Sequence, residues 1–280
     1  MKPNLGAFAT AGSLLVALFA TETTLAQKAG GILRIGWFDS PASMSLHEEA
    51  TIAVNRPMMG VFNNLVMFKQ DVAQNSLRSI VPDLAISWAW NEEGTELTFP
   101  LRHGIKWHDG KPFTAQDVKC TWDMLNGKSS EKLRLNPRKS WYRNLEEVTT
   151  NGDYEVTFHL KRPQPSLLAL LASGWSAVYP CHVSPRDMRS HPIGTGPFKF
   201  AEFKPNEVIR VTRNSDYWKP DRPHLDAIEY PIMKDVSTRM LSFVAGKTDV
   251  FGPTIPQLKD VRNQAPQAIC DIFMVNGPAI

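Results

Sequence analysis

The sequence predicts a mixed α/β fold, and three patterns support this prediction. Apolar and polar residues alternate along residues 32–37 and 154–160, which is the pattern of half-buried strands. Residues 107–125 combine a tight turn with a helix pattern. A strand pattern at residues 225–232 is followed by a helix bearing Met240, Leu241 and Val244. Strands and helices are therefore expected to alternate along the chain.

Residues 107–125 are the clearest single element. Asp109 and Gly110 precede Pro112, and these are the residue types that tight turns favour. Thr114 stands where a helix N-cap is expected, and Asp117 adds negative charge to the first turn. One apolar face then follows at helical spacing, formed by Ala115, Val118, Trp122 and Leu125. The stretch is predicted to be a strand, a turn and a capped helix.

A further helix, a further strand and a helix cap are also predicted. An imperfect apolar face predicts a helix from Thr51 to Asn64. Residues 97–101 alternate as a strand, and Pro100 within them indicates an edge strand or a bulge, because proline has no N–H to donate. Asp235 or Ser237 is expected to cap the helix that carries Met240.

The composition is that of an ordinary globular protein. The 280 residues are 42% hydrophobic and 21% charged, which is enough apolar material for a sizeable core. The formal net charge is +3, and the charges of both signs are interspersed. This argues against a nucleic-acid-binding patch and against a polybasic membrane anchor.

The first 26 residues are predicted to be a cleaved signal peptide. Lys2 is the only charge before Glu22, residues 14–20 are a short apolar run, and small residues precede the expected cleavage after Ala26. The protein is therefore expected in the periplasm.

The three cysteines, Cys120, Cys181 and Cys270, lie far apart and form no C-x-x-C motif. Export would allow a disulfide, but Cys120 falls in the predicted helix and is interpreted as a small buried apolar residue. No disulfide is predicted.

Four segments together resemble a known family. They are residues 108–118 (HDGKPFTAQDV), 82–88 (PDLAISW), 194–198 (GTGPF) and 214–218 (NSDYW). The chain resembles the family 5 extracellular solute-binding proteins, which are the peptide- and nickel-binding components of bacterial ABC importers. The resemblance covers nearly all of residues 27–280 but only about the N-terminal half of a family member.

The resemblance implies a periplasmic-binding-protein fold, class II-like, of which this chain holds the first lobe. Residues 27–59 and 192–270 would form the main sheet subdomain. Residues 60–191 would form an extra small α+β subdomain, and residues 271–280 would begin a second lobe that is otherwise missing.

The implied function is capture of a peptide or similar small solute for delivery to an ABC permease in the inner membrane. The protein would be a monomer that closes two lobes around its ligand, with no cofactor, no metal, no nucleic-acid partner and no catalytic activity. In peptide-binding relatives the acid that meets the ligand's amino group lies in the second lobe, so no residue here inherits that role.

Six residues are candidates for lining the ligand cleft. Trp37, Asp39 and Ser40 lie where the resemblance brings the chain close to the cleft, although ordinary strand-end packing explains them equally well. Asn63 and Asn64 occupy positions where the family often has an acidic residue and a glycine. Trp175 lies beside a predicted loop and could offer an aromatic surface.

Three alternatives stay open. His103, His108 and Asp109 could bind a metal ion in a secreted hydrolase, although no metalloprotease or P-loop motif accompanies them. A basic run between Lys128 and Arg143 could bind phosphate or carboxylate groups, or it could be a solvated face. The chain could also be a truncated form that binds nothing.

Overall fold

The computed structural model describes residues 29–270, which form a mixed α/β fold. The strands are β1 (Ile32–Arg34), β2 (Val66–Phe68), β3 (Ile80–Pro82), β4 (Ala89–Trp90), β5 (Glu96–Pro100), β6 (Leu145–Thr150), β7 (Glu155–Leu160), β8 (Phe198–Lys204), β9 (Val208–Arg213) and β10 (Ala227–Pro231). The α-helices are α1 (Ile52–Met59), α2 (Ala115–Leu125), α3 (Leu167–Leu171), α4 (Pro185–Met188), α5 (Val236–Val244) and α6 (Ile255–Gln264), and a 3₁₀ turn spans Leu77–Ser79.

One four-stranded sheet joins the two ends of the described chain. Its order is β1-β10-β9-β8, with β1 parallel to β10 and the other pairs antiparallel. Arg34 of β1 faces Glu229 of β10, 195 residues later. Strands from before residue 60 and from after residue 191 therefore share this sheet, while the division into subdomains stays a prediction.

The second four-stranded sheet has the order β4-β5-β7-β6. β5 lies inside this sheet, so the expectation that Pro100 marks an edge strand was wrong. Pro100 is the last residue of β5, beyond the short pairing with β4, and its carbonyl accepts a hydrogen bond from the Ile86 N–H at 2.8 Å. The missing proline N–H therefore leaves no gap in the ladder.

Helix α2 begins as predicted, with Thr114 as the N-cap of a capping box. The Asp117 carboxylate accepts hydrogen bonds from the Thr114 N–H at 2.9 Å and from the Trp107 indole N–H at 3.2 Å. Trp122 and the other apolar residues of the predicted face are buried against β6 and β7. The capping pair and the apolar face therefore fix both the start and the orientation of this helix.

Helix α1 is shorter than predicted, ending at Met59 rather than at Asn64. The carbonyls beyond it bond to other segments instead of continuing the helix. The Val61 carbonyl accepts from the Gly196 N–H, the Asn63 carbonyl from Val178 and the Asn64 carbonyl from Leu84, at 2.9 to 3.1 Å. The helical hydrogen-bond pattern ends here because N–H groups from other segments donate to these carbonyls.

Two hydrophobic clusters form the core. The first lies between the β4-β5-β7-β6 sheet and α2, with Trp107, Trp122 and Phe158 among its largest members. The second lies beside the β1-β10-β9-β8 sheet and α1 and includes Trp37 and Tyr230. The candidate site described below lies where segments from both clusters meet.

The structure joins Cys120 to Cys181 in a disulfide, so the prediction of no bridge was wrong. Cys120 is only half-buried, and its Cα lies 5.7 Å from that of Cys181. The segment before Cys181 is held along α2, because the Thr121 hydroxyl donates to the Tyr179 carbonyl and accepts from the Tyr179 N–H. Cys270 is free and exposed.

No helix within residues 29–270 combines the length and the apolar character needed to cross a bilayer. The predicted signal peptide at residues 1–26 and the predicted start of a second lobe at residues 271–280 lie outside the described residues.

Candidate ligand pocket

A pocket of about 280 Å³ opens at the C-terminal end of α1. Apolar side chains and polar groups alternate around it, which suits a small molecule that carries both kinds of surface. The residues around the pocket are Leu46, Met59, Gly60, Phe62, Asn63, Asn64, Met67, Gln70, Asp83, Ala172, Gly174, Ala177, Pro197, Tyr217 and Lys219.

Asp83 is the most deeply buried charged group of the pocket, with 3% of its side chain exposed. Its carboxylate contacts the Lys219 Nζ at 2.6 Å and accepts from the Asn63 side-chain amide at 3.0 and 3.2 Å. The backbone N–H of Asn64 adds a third donor at 3.1 Å. A buried carboxylate needs such partners, since burial without them would disfavour its charge strongly.

Asn63 connects this carboxylate to the opposite wall. Its side-chain oxygen accepts from the Thr195 hydroxyl at 3.1 Å, and its amide also donates to the Tyr217 hydroxyl at 3.3 Å. Burial raises the pKa of Tyr217, so this phenol stays protonated at neutral pH. The network fixes the amide orientation of Asn63 and joins four separate segments of the chain.

Lys219 places a positive charge at the mouth of the pocket. Its side chain is 31% exposed, and its Nζ lies 4.8 Å from the centre of the Trp218 ring. An ammonium has three donors, of which Asp83 engages one and the Met67 Sδ, at 3.6 Å, a second. The pocket therefore offers a donor that can meet a carboxylate or carbonyl oxygen of a bound molecule.

Asn63 and Asn64 are the two predicted cleft residues that the structure brings into this pocket. The Asn64 amide donates to the carbonyls of Leu171 at 3.3 Å and Ser173 at 2.7 Å, which ties the end of α1 to the segment after α3. Both asparagines thus hold the walls of the pocket in place.

The two tryptophan candidates are buried and lie outside this pocket, and their place in a ligand cleft stays a prediction. Trp37 is 3% exposed, and its indole N–H donates to the Ala53 carbonyl at 2.9 Å. Trp175 is 9% exposed and packs beneath the Arg138 guanidinium at 4.3 Å. These two large aromatic side chains are buried although they lie next to loops, because they contribute apolar packing area to the core.

Asp39 and Ser40 lie outside the pocket. The Ser40 N–H donates to the Asp39 carboxylate at 2.8 Å, and the Ser40 hydroxyl accepts from the Asn206 N–H at 3.0 Å. Both residues are half-buried and are engaged in local loop contacts. Their place in a ligand cleft stays a prediction.

Sequence reasoning missed Asp83, Tyr217 and Lys219 as pocket residues. Asp83 and Tyr217 lie in two of the segments that carry the family resemblance, and Lys219 follows the second of them. Lys219 lies 136 residues after Asp83, so no local spacing could have indicated their contact.

Both ring nitrogens of His108 are engaged in hydrogen bonds in this structure. Its Nδ1 accepts from the Gly194 N–H at 3.2 Å, and its Nε2 donates to the Gly196 carbonyl at 3.0 Å. Burial is the main cause that lowers the His108 pKa to about 4. No cluster of three or more metal-ligating side chains occurs within residues 29–270.

Acidification is expected to destabilise the fold through two neutral histidines. Burial lowers the pKa of His47 to about 3 and that of His108 to about 4, whereas both titrate near 6.5 in the unfolded chain. Below pH 6.5 the unfolded state binds protons that the folded state does not, so stability falls with decreasing pH. We expect each histidine to contribute a loss of roughly 2 kcal/mol between pH 7.5 and 5.

Urea unfolding across this pH range tests that expectation. His108→Gln should make the dependence on pH shallower, because one of the two titrating groups is removed. The exposed His191 provides the matched control, and His191→Gln should leave the slope unchanged. If the free energy of unfolding depended on pH equally in the two variants, the assignment of His108 as a group that destabilises the fold on acidification would be contradicted.

Comparison with known proteins extends this description. A family model described as bacterial extracellular solute-binding proteins, family 5 Middle, matches residues 79–273, which is more than half of the chain. The matched span contains Asp83, Tyr217 and Lys219 together with the His108 turn.

Individual relatives agree with the family match. The chain is 28% identical over 211 residues to a di/tripeptide-binding protein 1 of Pseudomonas aeruginosa, covering 68% of this chain and 38% of that protein. It is 33% identical over 161 residues to the oligopeptide-binding protein AppA of Bacillus subtilis, covering 54% of this chain and 28% of AppA. The solved structure of AppA with a nonapeptide matches 85% of this chain and 47% of AppA, with a TM-score of 0.74 and 26% identity. The chain thus spans less than half the length of these relatives.

Proposed function

Because this chain belongs to family 5 of the bacterial extracellular solute-binding proteins, we propose that it captures a peptide or a chemically similar small solute. Capture would occur outside the cytoplasmic membrane, in the periplasm, and the solute would pass to an ABC permease. Two relatives whose names state that they bind peptides support the choice of ligand class.

The pocket at the end of α1 is the observation that carries this proposal. Peptides present backbone donors and acceptors together with side chains of varied polarity. The pocket meets such groups with the Lys219 ammonium, the exposed part of Gln70 and an apolar surface that includes Met59 and Phe62. A ligand carboxylate or carbonyl beside Lys219 would use the donor that Asp83 and Met67 leave free.

The proposed mechanism is binding and closure without bond chemistry. A second lobe, as in the longer relatives, would close over the pocket, and the ligand would stabilise the closed state by contacting both lobes. The proposed binding unit is a monomer with no cofactor. Nucleophilic catalysis is not proposed, since the charged groups of the pocket, Asp83 and Lys219, neutralise each other.

Filling the pocket is expected to weaken peptide binding. Met59 lies on the pocket wall and is 45% exposed, so Met59→Trp adds volume without disturbing a buried position. We expect the dissociation constants measured by calorimetry with a pool of di- to nonapeptides to rise by at least about tenfold. The matched control is Ile52→Trp, on the same helix and 42% exposed but outside the pocket, which should change affinity less than about twofold.

Equal effects of the two tryptophan variants would contradict the location of the site. The same titration on a chain extended by the second half of AppA tests the closure mechanism separately. Closure predicts tighter binding by the extended chain, because the ligand gains contacts from a second lobe. Equal affinity of the two forms would contradict closure.

A further inference from the structure

A second concave region, here called the basic groove, shares no lining residue with the ligand pocket. It consists of two adjoining cavities of about 620 and 990 Å³ that have Ser140, Arg143 and Lys161 in common. It lies among the loop after α2, the segment leading into β6 and the loop after β7. The proposed peptide function does not use this region.

The basic groove gathers positive charge without neutralising it. Its cationic residues are Lys128, Lys139, Arg143, Lys161 and Arg162, and its only acidic residue is Glu146. Among the ion pairs within residues 29–270, none includes any of the five cations. Cations that face one concavity repel one another, so an anion placed among them is stabilised by all of them.

The convergence of these charges is a tertiary feature. The basic run seen in the sequence supplies Lys128, Lys139 and Arg143, whereas Lys161 and Arg162 come from beyond β7. Pairing of β6 with β7 brings the two groups together, since Leu145 faces Leu160 across the ladder. If the basic run were only a solvated face, the fold would not be expected to place cations from a separate segment beside it.

Hydrogen bonds hold the framework of the basic groove. The Lys161 N–H donates to the Asn144 carbonyl at 3.0 Å, and the Asn144 side chain donates to the Arg162 carbonyl at 2.8 Å. The Lys128 ammonium bonds the Glu146 carbonyl. The backbone that carries the cations is therefore fixed, while the Arg143 and Arg162 guanidinium groups are exposed and available to a ligand.

We propose that the basic groove binds a phosphate-bearing anion. Arginine offers paired N–H donors that match phosphate oxygens, and lysine adds point charge. The cavities are large enough for more than one phosphate group. A free phosphate compound and an anionic lipid headgroup share this chemistry, and they are two sources that one experiment can separate.

The test titrates the whole chain with pyrophosphate at low ionic strength and, separately, with vesicles of phosphatidylglycerol in phosphatidylcholine. The variant Arg143→Gln/Lys161→Gln removes the two cations shared by both cavities. The matched control is Lys259→Gln/Arg262→Gln, which removes one lysine and one arginine from the exposed surface of α6. We expect the groove variant to weaken binding by at least about tenfold and the control by less than about twofold.

Each outcome bears on the proposal. Saturable pyrophosphate binding that only the groove variant loses supports it and assigns a free phosphate compound. Vesicle binding lost in the same variant supports it and assigns a lipid headgroup. If neither probe binds, or if the two double variants lose binding equally, the proposal is overturned. Far-ultraviolet circular dichroism of both variants shows whether they stay folded, and peptide titration reports on the ligand pocket independently.

Discussion

Replacing Gly196 with alanine is expected to destabilise the fold by at least about 4 kcal/mol, which is a loss that few single substitutions produce. A Cβ at this position would lie 2.5 Å from the Val61 carbonyl carbon and 2.6 Å from the carbonyl oxygens of Gly60 and Val61. These neighbours are backbone atoms, so no side-chain rotation can relieve the overlap. Urea unfolding followed by circular dichroism measures the change.

The backbone around Gly196 cannot move aside without losing other bonds. The Gly196 N–H donates to the Val61 carbonyl and the Phe198 N–H to the Gly60 carbonyl, both at 2.9 Å. The Gly196 carbonyl accepts from His108 on its other side. Gly252, which has ordinary φ and nothing within 4 Å of an added Cβ, is the control, and Gly252→Ala should change stability by less than about 0.5 kcal/mol. A small loss in Gly196→Ala would show that the approach of the two segments is looser than described.

Lys219→Met is expected to destabilise the fold by about 3–5 kcal/mol, because it leaves the buried Asp83 carboxylate without its countercharge. The Asp83 side chain is 3% exposed, and the ion pair measures 2.6 Å. The remaining amide donors from Asn63 and Asn64 do not carry the positive charge that offsets burial of a carboxylate. Chemical denaturation at pH 7 gives the free energy of unfolding.

Two comparisons make the Lys219 prediction specific. Lys69 pairs with Asp71 at 3.9 Å on the surface, where Asp71 is 76% exposed, so Lys69→Met should cost less than about 1 kcal/mol. The double variant Asp83→Asn/Lys219→Met should recover part of the loss, since the buried charge is removed as well. If the double variant were no more stable than Lys219→Met, an uncompensated charge on Asp83 would not be the cause of the lost stability.

Local elements were predictable because their determinants are neighbours in sequence. The Thr114 and Asp117 pair lies three residues apart and fixes the start of α2 in sequence and structure alike. Asp235 similarly caps α5, with its carboxylate accepting from the Thr238 N–H at 2.7 Å. Alternation along β7 places Val156, Phe158 and Leu160 on the buried face. Such spacings predict a helix start or a buried strand face without knowledge of the rest of the fold.

The candidate site was less predictable because its contacts join distant segments. Asp83 and Lys219 are 136 residues apart, and Asn63 and Thr195 are 132 residues apart. The disulfide was missed for the same reason, since Cys120 and Cys181 are separated by 61 residues. The resemblance to a family supplied the positions of Asn63 and Asn64, whereas the aromatic candidates Trp37 and Trp175 are buried in this structure. Proximity to a predicted loop did not distinguish exposed from buried side chains.

The parallel pairing of β1 with β10 has a consequence for how the protein assembles. Residues 32–34 find their partner strand at residues 227–229, so the earliest strand of the described chain has no ladder until those residues have been synthesised. Closing so large a loop is entropically slow. Until residues 227–231 are available, β1 stays an unpaired edge, whereas the β4-β5-β7-β6 sheet, whose strands lie within residues 89–160, can already form.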